Sequence, residues 1–271
     1  MSFRNYFSLW LLLAVAFAAI VALSAFSPVQ IGALELRDSG IYEALTKPAD
    51  EEQSTQSTQI NQSTQSSPST PMQPQAAPAA EVDSSAMTLL LIGDSMLEGL
   101  SPRLAAYANA NGHTLYSVIW YSSTSEVWGR SDKLKNYINR LHPDFVFISL
   151  GANELFVKDI AAKRDKYVKK IIADIGSIPY LWIGPPNWKP DTGINDLIAA
   201  NAAPGSFFLS DGMHFDRTKD GAHPTRSSAA AWMDSVVRWM PVHSSHPFRL
   251  DKPTAATGSP RRIFVHQPNE R

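Results

Sequence analysis

Ser95 stands in Gly93-Asp94-Ser95, directly after the apolar run Thr88–Ile92 and directly before a helical pattern. A serine at a strand-to-helix junction carries its hydroxyl at the top of the sheet and its backbone N–H at a helix N-terminus. Both the N–H and the helix dipole favour a developing oxyanion. The same position also suits an ordinary helix cap. Leu97 occupies the place of the second glycine, so the stretch is not a G-x-S-x-G elbow. A serine nucleophile needs a base, and the chain has seven histidines. His113 and His142 fall where helices end, and His243, His246 and His266 lie in or beside the C-terminal tail. His214 and His223 both occur as Asp-x-x-His, in Asp211-Gly-Met-His and Asp220-Gly-Ala-His. A carboxylate three residues before a histidine, in a turn, can hold the imidazole by its Nδ1–H and stabilise the imidazolium. Either histidine fits that description.

Composition narrows the chemistry. The 271-residue chain contains no cysteine, which excludes disulfides, thiolate metal sites and a cysteine nucleophile. A net charge of −1 provides no field for holding nucleic acid. Asp211, His214, Asp216, Asp220 and His223 crowd one loop and offer oxygen and imidazole ligands. A metal site there would leave Ser95 and Asn153 without a role.

The elements that must position these residues alternate. Thr88–Ile92, Thr114–Tyr121, Asp144–Leu150, Ile178–Ile183 and Ser206–Ser210 read as strands, most of them short apolar runs ending in turns. Helical spacing recurs over residues 97–112, 131–141, 160–175, 194–202 and 227–240. This alternation predicts a three-layer α/β/α sandwich with a mainly parallel five-stranded sheet, of the flavodoxin-like type. Such folds bind ligands beyond the carboxyl ends of their strands. The polar clusters Gly93–Ser95, Gly151–Glu154 and Asp211–His223 follow three of these strands.

Taken in order, Gly93-Asp94-Ser95, Gly151-Ala-Asn153-Glu154 and Asp220-Gly-Ala-His223-Pro-Thr225 resemble the sequence blocks of the SGNH, or GDSL-type, hydrolase superfamily of serine esterases, lipases and acyl transferases. The resemblance covers roughly residues 88–240. It implies Ser95 as nucleophile, His223 as general base and acid, and Asp220 as the group orienting His223. It also implies the Asn153 amide and the Ser95 N–H as oxyanion donors, and no metal or cofactor. The sequence departs from the family pattern twice. A glycine usually follows the second strand, where this chain reads Tyr121-Ser122-Ser123-Thr124-Ser125, so a donor N–H must come from Ser122, Ser123, Thr124 or Ser125. Glu154 stands where the family has aspartate.

The flanking regions suggest location. Residues 7–26 are 20 consecutive residues without a charge, long enough at 1.5 Å per residue to span roughly 30 Å of hydrocarbon. Residues 1–30 therefore read as a membrane anchor, or alternatively a signal segment. Arg4 before the span and no positive excess after it place the rest of the chain outside the cytoplasm. Residues 31–47 read as a short juxtamembrane helix, and the rest of 31–86, rich in Ser, Thr, Gln and Pro, as a flexible tether. Residues 87–242 form the hydrolase-like domain, and 243–271 a mobile basic tail. The expected function is a membrane-tethered, extracytoplasmic (in a Gram-negative cell, periplasmic) serine esterase or acyl transferase. Its expected partners are the membrane, through residues 7–26, and an O-acyl, chiefly O-acetyl, carbohydrate or lipid of the cell envelope. Trp120, Trp128, Trp182 and Trp188 flank the site loops and are candidates for stacking on sugar rings. The alternative is a binding module of the same fold without turnover.

Overall fold

The computed structural model describes residues 29–31, 34–36, 82–268 and 270. The expected membrane span and the tether before residue 82 lie outside the described residues. Among those described, no helix is long and apolar enough to cross a membrane. Val29–Ile31 pairs antiparallel with Leu34–Leu36, a two-stranded ribbon in place of the expected start of a helix at residue 31. Val-Gln-Ile and Leu-Glu-Leu alternate apolar and polar residues at period two, which is a strand pattern.

Residues 82–268 build a six-stranded, wholly parallel sheet. Its strands are β1 (Thr88–Gly93), β2 (Thr114–Trp120), β3 (Phe145–Ser149), β4 (Tyr180–Ile183), β5 (Phe207–Phe208) and β6 (Arg262–His266). The spatial order is β5-β4-β3-β1-β2-β6. Helices α1 (Leu97–Ala110), α2 (Ser125–Arg130), α3 (Lys133–Leu141), α4 (Ile160–Ile175), α5 (Ile194–Asn201) and α6 (Arg226–His243) fill the connections. The apolar strands bury both faces, as a parallel sheet requires. Leu89 and Leu91 of β1 face a core with Leu100 and Leu104 of α1 and Trp232 and Val236 of α6. Leu90 and Ile92 face the other core, with Trp128 of α2, Val168 of α4 and Ile198 of α5. The α/β/α sandwich is thus the expected class, with one more strand than the sequence reading counted.

That strand corrects the reading of residues 243–271 as a mobile tail and moves the domain boundary beyond residue 242. The β6 residues Arg262–His266 pair in parallel with Tyr116–Trp120 of β2. Upstream of β6, Phe248 is 2% exposed and packs on Phe145 at 5.0 Å between ring centroids and on His113 at 5.4 Å. The His113 Nδ1 accepts from the Met87 N–H at 3.1 Å and its Nε2 donates to the Arg249 carbonyl at 2.7 Å. His113, placed by the sequence at the end of a helix, is therefore a buried clasp for the C-terminal segment. Phe248→Ala should cost about 3–5 kcal/mol, as expected for emptying a buried phenylalanine site. Urea unfolding of the variant would measure it, and a loss below 1 kcal/mol would restore the mobile-tail reading.

Candidate active site

The β1, β2 and β3 ends deliver the site. Gly93 and Ser149 are register partners in β1 and β3, and a Cβ on Gly93 would meet the Ser149 carbonyl oxygen at 2.2 Å. Only glycine permits that approach. Asp94 and Ser95 follow in the turn that opens α1, where Leu97 N–H donates to the Asp94 carbonyl and Glu98 N–H to that of Ser95. The Ser95 hydroxyl is half-buried at the head of a cleft of about 480 Å³, also lined by Glu98, Tyr121, Ser122, Thr218 and His223.

His223 Nε2 lies 2.8 Å from Ser95 Oγ, and His223 Nδ1 lies 2.7 Å from Asp220 Oδ2. The Asp220 carboxylate also accepts from the backbone N–H groups of His223 at 3.0 Å and Ala222 at 2.8 Å, and from the Thr218 hydroxyl at 2.9 Å. The two backbone donors, followed by the imidazole and the hydroxyl, hold its carboxyl well below the usual carboxylate range. An anionic Asp220 on Nδ1 fixes the tautomer in which Nε2 can accept the serine proton. His214 neither lines this cleft nor bonds to Ser95. It is 92% exposed, with Asp216 at 3.6 Å as its ion-pair partner. Among the described residues, no three Asp, Glu or His side chains are placed to hold a metal ion.

One cation that sequence reasoning missed holds the His223 loop. Arg217 donates to the carbonyls of Pro186 at 3.0 Å and Asn187 at 2.9 Å, beyond β4, and to that of Ala222. It ties the loop to the end of β4. An arginine in a polar loop carries no sequence signal of such a role.

The oxyanion side is built on the β2–α2 turn. Ser123 N–H donates to the Trp120 carbonyl at 3.1 Å, and Ser125 N–H to Glu154 Oε2 at 2.8 Å. Both are spent. Ser122 has φ +56°, a left-handed conformation that favours glycine. Its N–H has no acceptor among the described residues, and the residue lines the cleft beside Ser95. The Thr124 N–H has no acceptor among the described residues either, but Thr124 does not line the cleft, so of the four candidates only Ser122 offers a free N–H from a residue of the cleft wall. Glu154 holds this turn from beneath. Its carboxylate is fully buried, accepts from Ser125 N–H and Oγ at 2.8 Å each, and pairs with Arg164 Nε at 2.7 Å.

Asn153 Nδ2 donates to the Ser123 carbonyl at 3.0 Å and to Asp94 Oδ2 at 3.3 Å. Both amide hydrogens thus have protein acceptors, and the long contact to Asp94 is the one that an oxyanion would replace most readily. Asp94 is buried, and burial pushes its carboxyl up from 3.8 to about 7, against the pull of the Met96 N–H and His223. Of the tryptophans, Trp120, Trp128 and Trp182 are 0–2% exposed core residues. Of the four that flank the site loops, Trp188 alone is partly exposed, donating to the Ala152 carbonyl at 2.8 Å beside Phe156.

No protein-family model matches the chain, and no curated protein sequence matches it. Several solved structures are similar. The psychrotrophic esterase EstA from Pseudoalteromonas sp. aligns at 18% identity and TM-score 0.42, over 56% of this chain and 96% of its own. TesA aligns at 19% and 0.47, over 56% and 97%. A lipase/acylhydrolase from Enterococcus faecalis aligns at 20% and 0.45, over 62% and 99%. Likeness at this level assigns no activity; the side-chain geometry above has to carry it.

Two outcomes are expected at this site. Asn153→Ala should lower kcat by roughly 10²–10³-fold with little change in KM, because the donor acts mainly on the transition state. Ser122→Gly should leave kcat within a few-fold, since only the backbone N–H takes part, and relieve part of the roughly 1–2 kcal/mol cost of the left-handed residue. Steady-state kinetics and urea unfolding would check both. Asp94 generates a third expectation. The folded chain keeps a proton on Asp94 that the unfolded chain releases near pH 4, so its burial costs stability progressively as pH rises from about 4 to about 7. Relative to wild type, Asp94→Asn should therefore be more stable at pH 7 than at pH 4. An equal difference at both pH values would rule out a protonated, buried Asp94.

Proposed function

We propose that this protein is a serine esterase or acyl transferase of the SGNH type, working through an acyl-serine intermediate. The observation that carries the reading is the continuous chain Ser95 Oγ, His223, Asp220, with its 2.8 and 2.7 Å links, opening into a cleft. His223 Nε2 takes the Ser95 proton as Oγ attacks the ester carbonyl. The Ser95 N–H, the Ser122 N–H and the Asn153 amide stabilise the resulting oxyanion. His223 then returns the proton to the departing alkoxide, leaving the acyl group on Ser95. Water or an acceptor hydroxyl attacks the acyl-enzyme, His223 takes its proton, and Ser95 leaves carrying that proton.

The substrate reading rests on location and on the character of the cleft. The uncharged run at residues 7–26 supports a membrane anchor with the catalytic domain outside the cytoplasm. A tethered enzyme suits an ester fixed in the cell envelope. Glu98 and Tyr121, hydrogen-bonded to each other on the cleft wall, favour a hydroxyl-bearing substrate with a short acyl group over a long fatty acyl chain. A binding module without turnover is the competing reading, favoured by one observation: both Asn153 amide hydrogens already have protein acceptors.

Full-length protein treated with a fluorophosphonate should be labelled at Ser95 alone, with labelling lost in His223→Ala, and it should hydrolyse short aryl acetates. An unlabelled Ser95 together with no hydrolysis would establish the binding module. Protease protection of the full-length protein in cells tests the topology, with the domain expected on the extracytoplasmic face.

A further inference from the structure

Away from the cleft, three concavities adjoin one another between α3 and the edge strand β6. The first, about 820 Å³, is lined by Trp120, Arg130, Ser131, Lys133, Asn136 and Glu270, among others. The second, about 250 Å³, shares Lys133 and Asn136 with it and adds Arg140. The third, about 270 Å³, shares Arg140 and continues to Arg261, Arg262 and Phe264. The shared walls make one groove. It follows β6, whose five residues cover roughly 16 Å at about 3.3 Å per residue.

The groove carries more cations than carboxylates: Arg130, Lys133, Arg140, Arg261 and Arg262 against Asp132 and Glu270. The exposed ion pairs elsewhere use carboxylates, as in Lys169–Asp165 and Lys170–Asp174. Lys133, Arg140, Arg261 and Arg262 form no ion pair among the described residues. Aromatic rings hold three of them instead. The Arg140 guanidinium lies 4.8 Å from the Tyr137 centroid and 4.7 Å from that of Phe264. Arg262 lies 4.9 Å from the same Phe264 ring, and Lys133 lies 5.2 Å from the Trp120 ring. Two guanidinium groups on one ring repel each other within about a Debye length, roughly 8–10 Å. A guanidinium stacked on an aromatic ring is also pre-organised, with its N–H edge left to donate. An anion between these cations relieves that repulsion. The carboxylates of the groove, Asp132 and Glu270, line the wider concavity beside Lys133 and do not line the one that holds Arg140, Arg261 and Arg262, and Glu270 is engaged by His266 Nδ1 at 2.6 Å and the Gln267 N–H at 3.0 Å.

We propose that this groove binds an anionic polysaccharide, a chain bearing repeated carboxylate or phosphate groups. The cations line concavities and not a flat face, which suits a chain better than a membrane surface. They lie on the side of β6 that faces α3, not along the hydrogen-bonding edge that an added peptide strand would use. The amide of Asn136 and the hydroxyl of Ser131 at the wider end supply partners for sugar hydroxyls. That end is also lined by Val127 and Arg130 of α2, the helix that opens immediately after the Ser122 turn. The inference stands on the groove alone and does not require turnover at Ser95.

The test uses full-length protein carrying Ser95→Ala, titrated with polygalacturonate and, as a neutral control, dextran. Polygalacturonate should bind at least tenfold more tightly than dextran and weaken steeply as salt rises. The double substitution Arg140→Glu, Arg262→Glu should abolish that preference. Arg261→Glu, at an exposed position with little bearing on folding, should weaken binding several-fold by itself. In the Ser95 background, these substitutions should leave aryl acetate hydrolysis at the wild-type level. Equal binding of dextran, or no effect of either substitution, would overturn the proposal. So would binding of poly-L-glutamate, single-stranded DNA or phosphatidylglycerol vesicles as tight as that of polygalacturonate and equally sensitive to the substitutions. Absence of hydrolysis by the wild-type protein, with polygalacturonate binding and its loss in the variants as expected, would count against the esterase reading only.

Discussion

The backbone contact between Gly93 and Ser149 sets the spacing on which the candidate site depends. A side chain at residue 93 would collide with the Ser149 carbonyl, so β1 and β3 close together only because that side chain is missing. Immediately past this contact the two strands send out Asp94-Ser95 and Gly151-Ala152-Asn153. The sheet thus brings the Ser95 and Asn153 turns to the same end, and the bonds from the Asn153 amide to the Ser123 carbonyl and Asp94 hold that side chain in place. Parallel pairing of β2 with β1 brings the Ser122 turn to the same end.

Two buried carboxylates brace this arrangement by different physics. Glu154 is compensated: Arg164 and two donors on Ser125 satisfy it while it anchors the β2–α2 turn. Asp94 lacks a cation in contact, and burial raises its carboxyl to about 7. It lies between the Met96 N–H and the Asn153 amide, and its protonation state therefore bears on how firmly Asn153 is held. The turn needs its anchor because Ser122 occupies a backbone conformation that a serine adopts only at a cost.

The C-terminal segment has a comparable structural weight. Phe248 and the His113 clasp fasten it to the core, and β6 then covers the outer edge of β2. This placement creates the wall of the cationic groove, with Arg262 and Phe264 alternating with Ile263 and Val265 across the strand. Without β6, Arg140 and Lys133 would be ordinary solvated charges on a helix. With it, they line a channel whose wider end is walled partly by α2.

Much of the framework was legible in the sequence, because apolar runs such as Thr88–Ile92 and Phe145–Ser149 are too short for helices, end in turns and alternate with helical patterns, as strands buried on both faces do. The positions of Ser95, Asn153 and the Asp-x-x-His pairs at strand ends or in the following loops were legible for the same reason. Aspartate spacing could not separate His214 from His223; the resemblance of the Asp220–Thr225 block pointed to His223, and the contact that His223 makes with Ser95 depends on how the loop is folded and strapped by Arg217. Nor could local pattern single out Ser122 among Ser122, Ser123, Thr124 and Ser125, because the choice rests on which N–H groups are already spent and on which residue lines the cleft. The sixth strand escaped because Arg-Ile-Phe-Val-His is short, charged at one end and half-exposed, as an edge strand is, so its pairing energy comes from β2 and Phe248 rather than from its own pattern. Sequence alone determined what must be buried and which chemical groups stand at the strand ends; tertiary structure decided which of those groups meet, because contact between residues 128 positions apart depends on packing that no local pattern encodes.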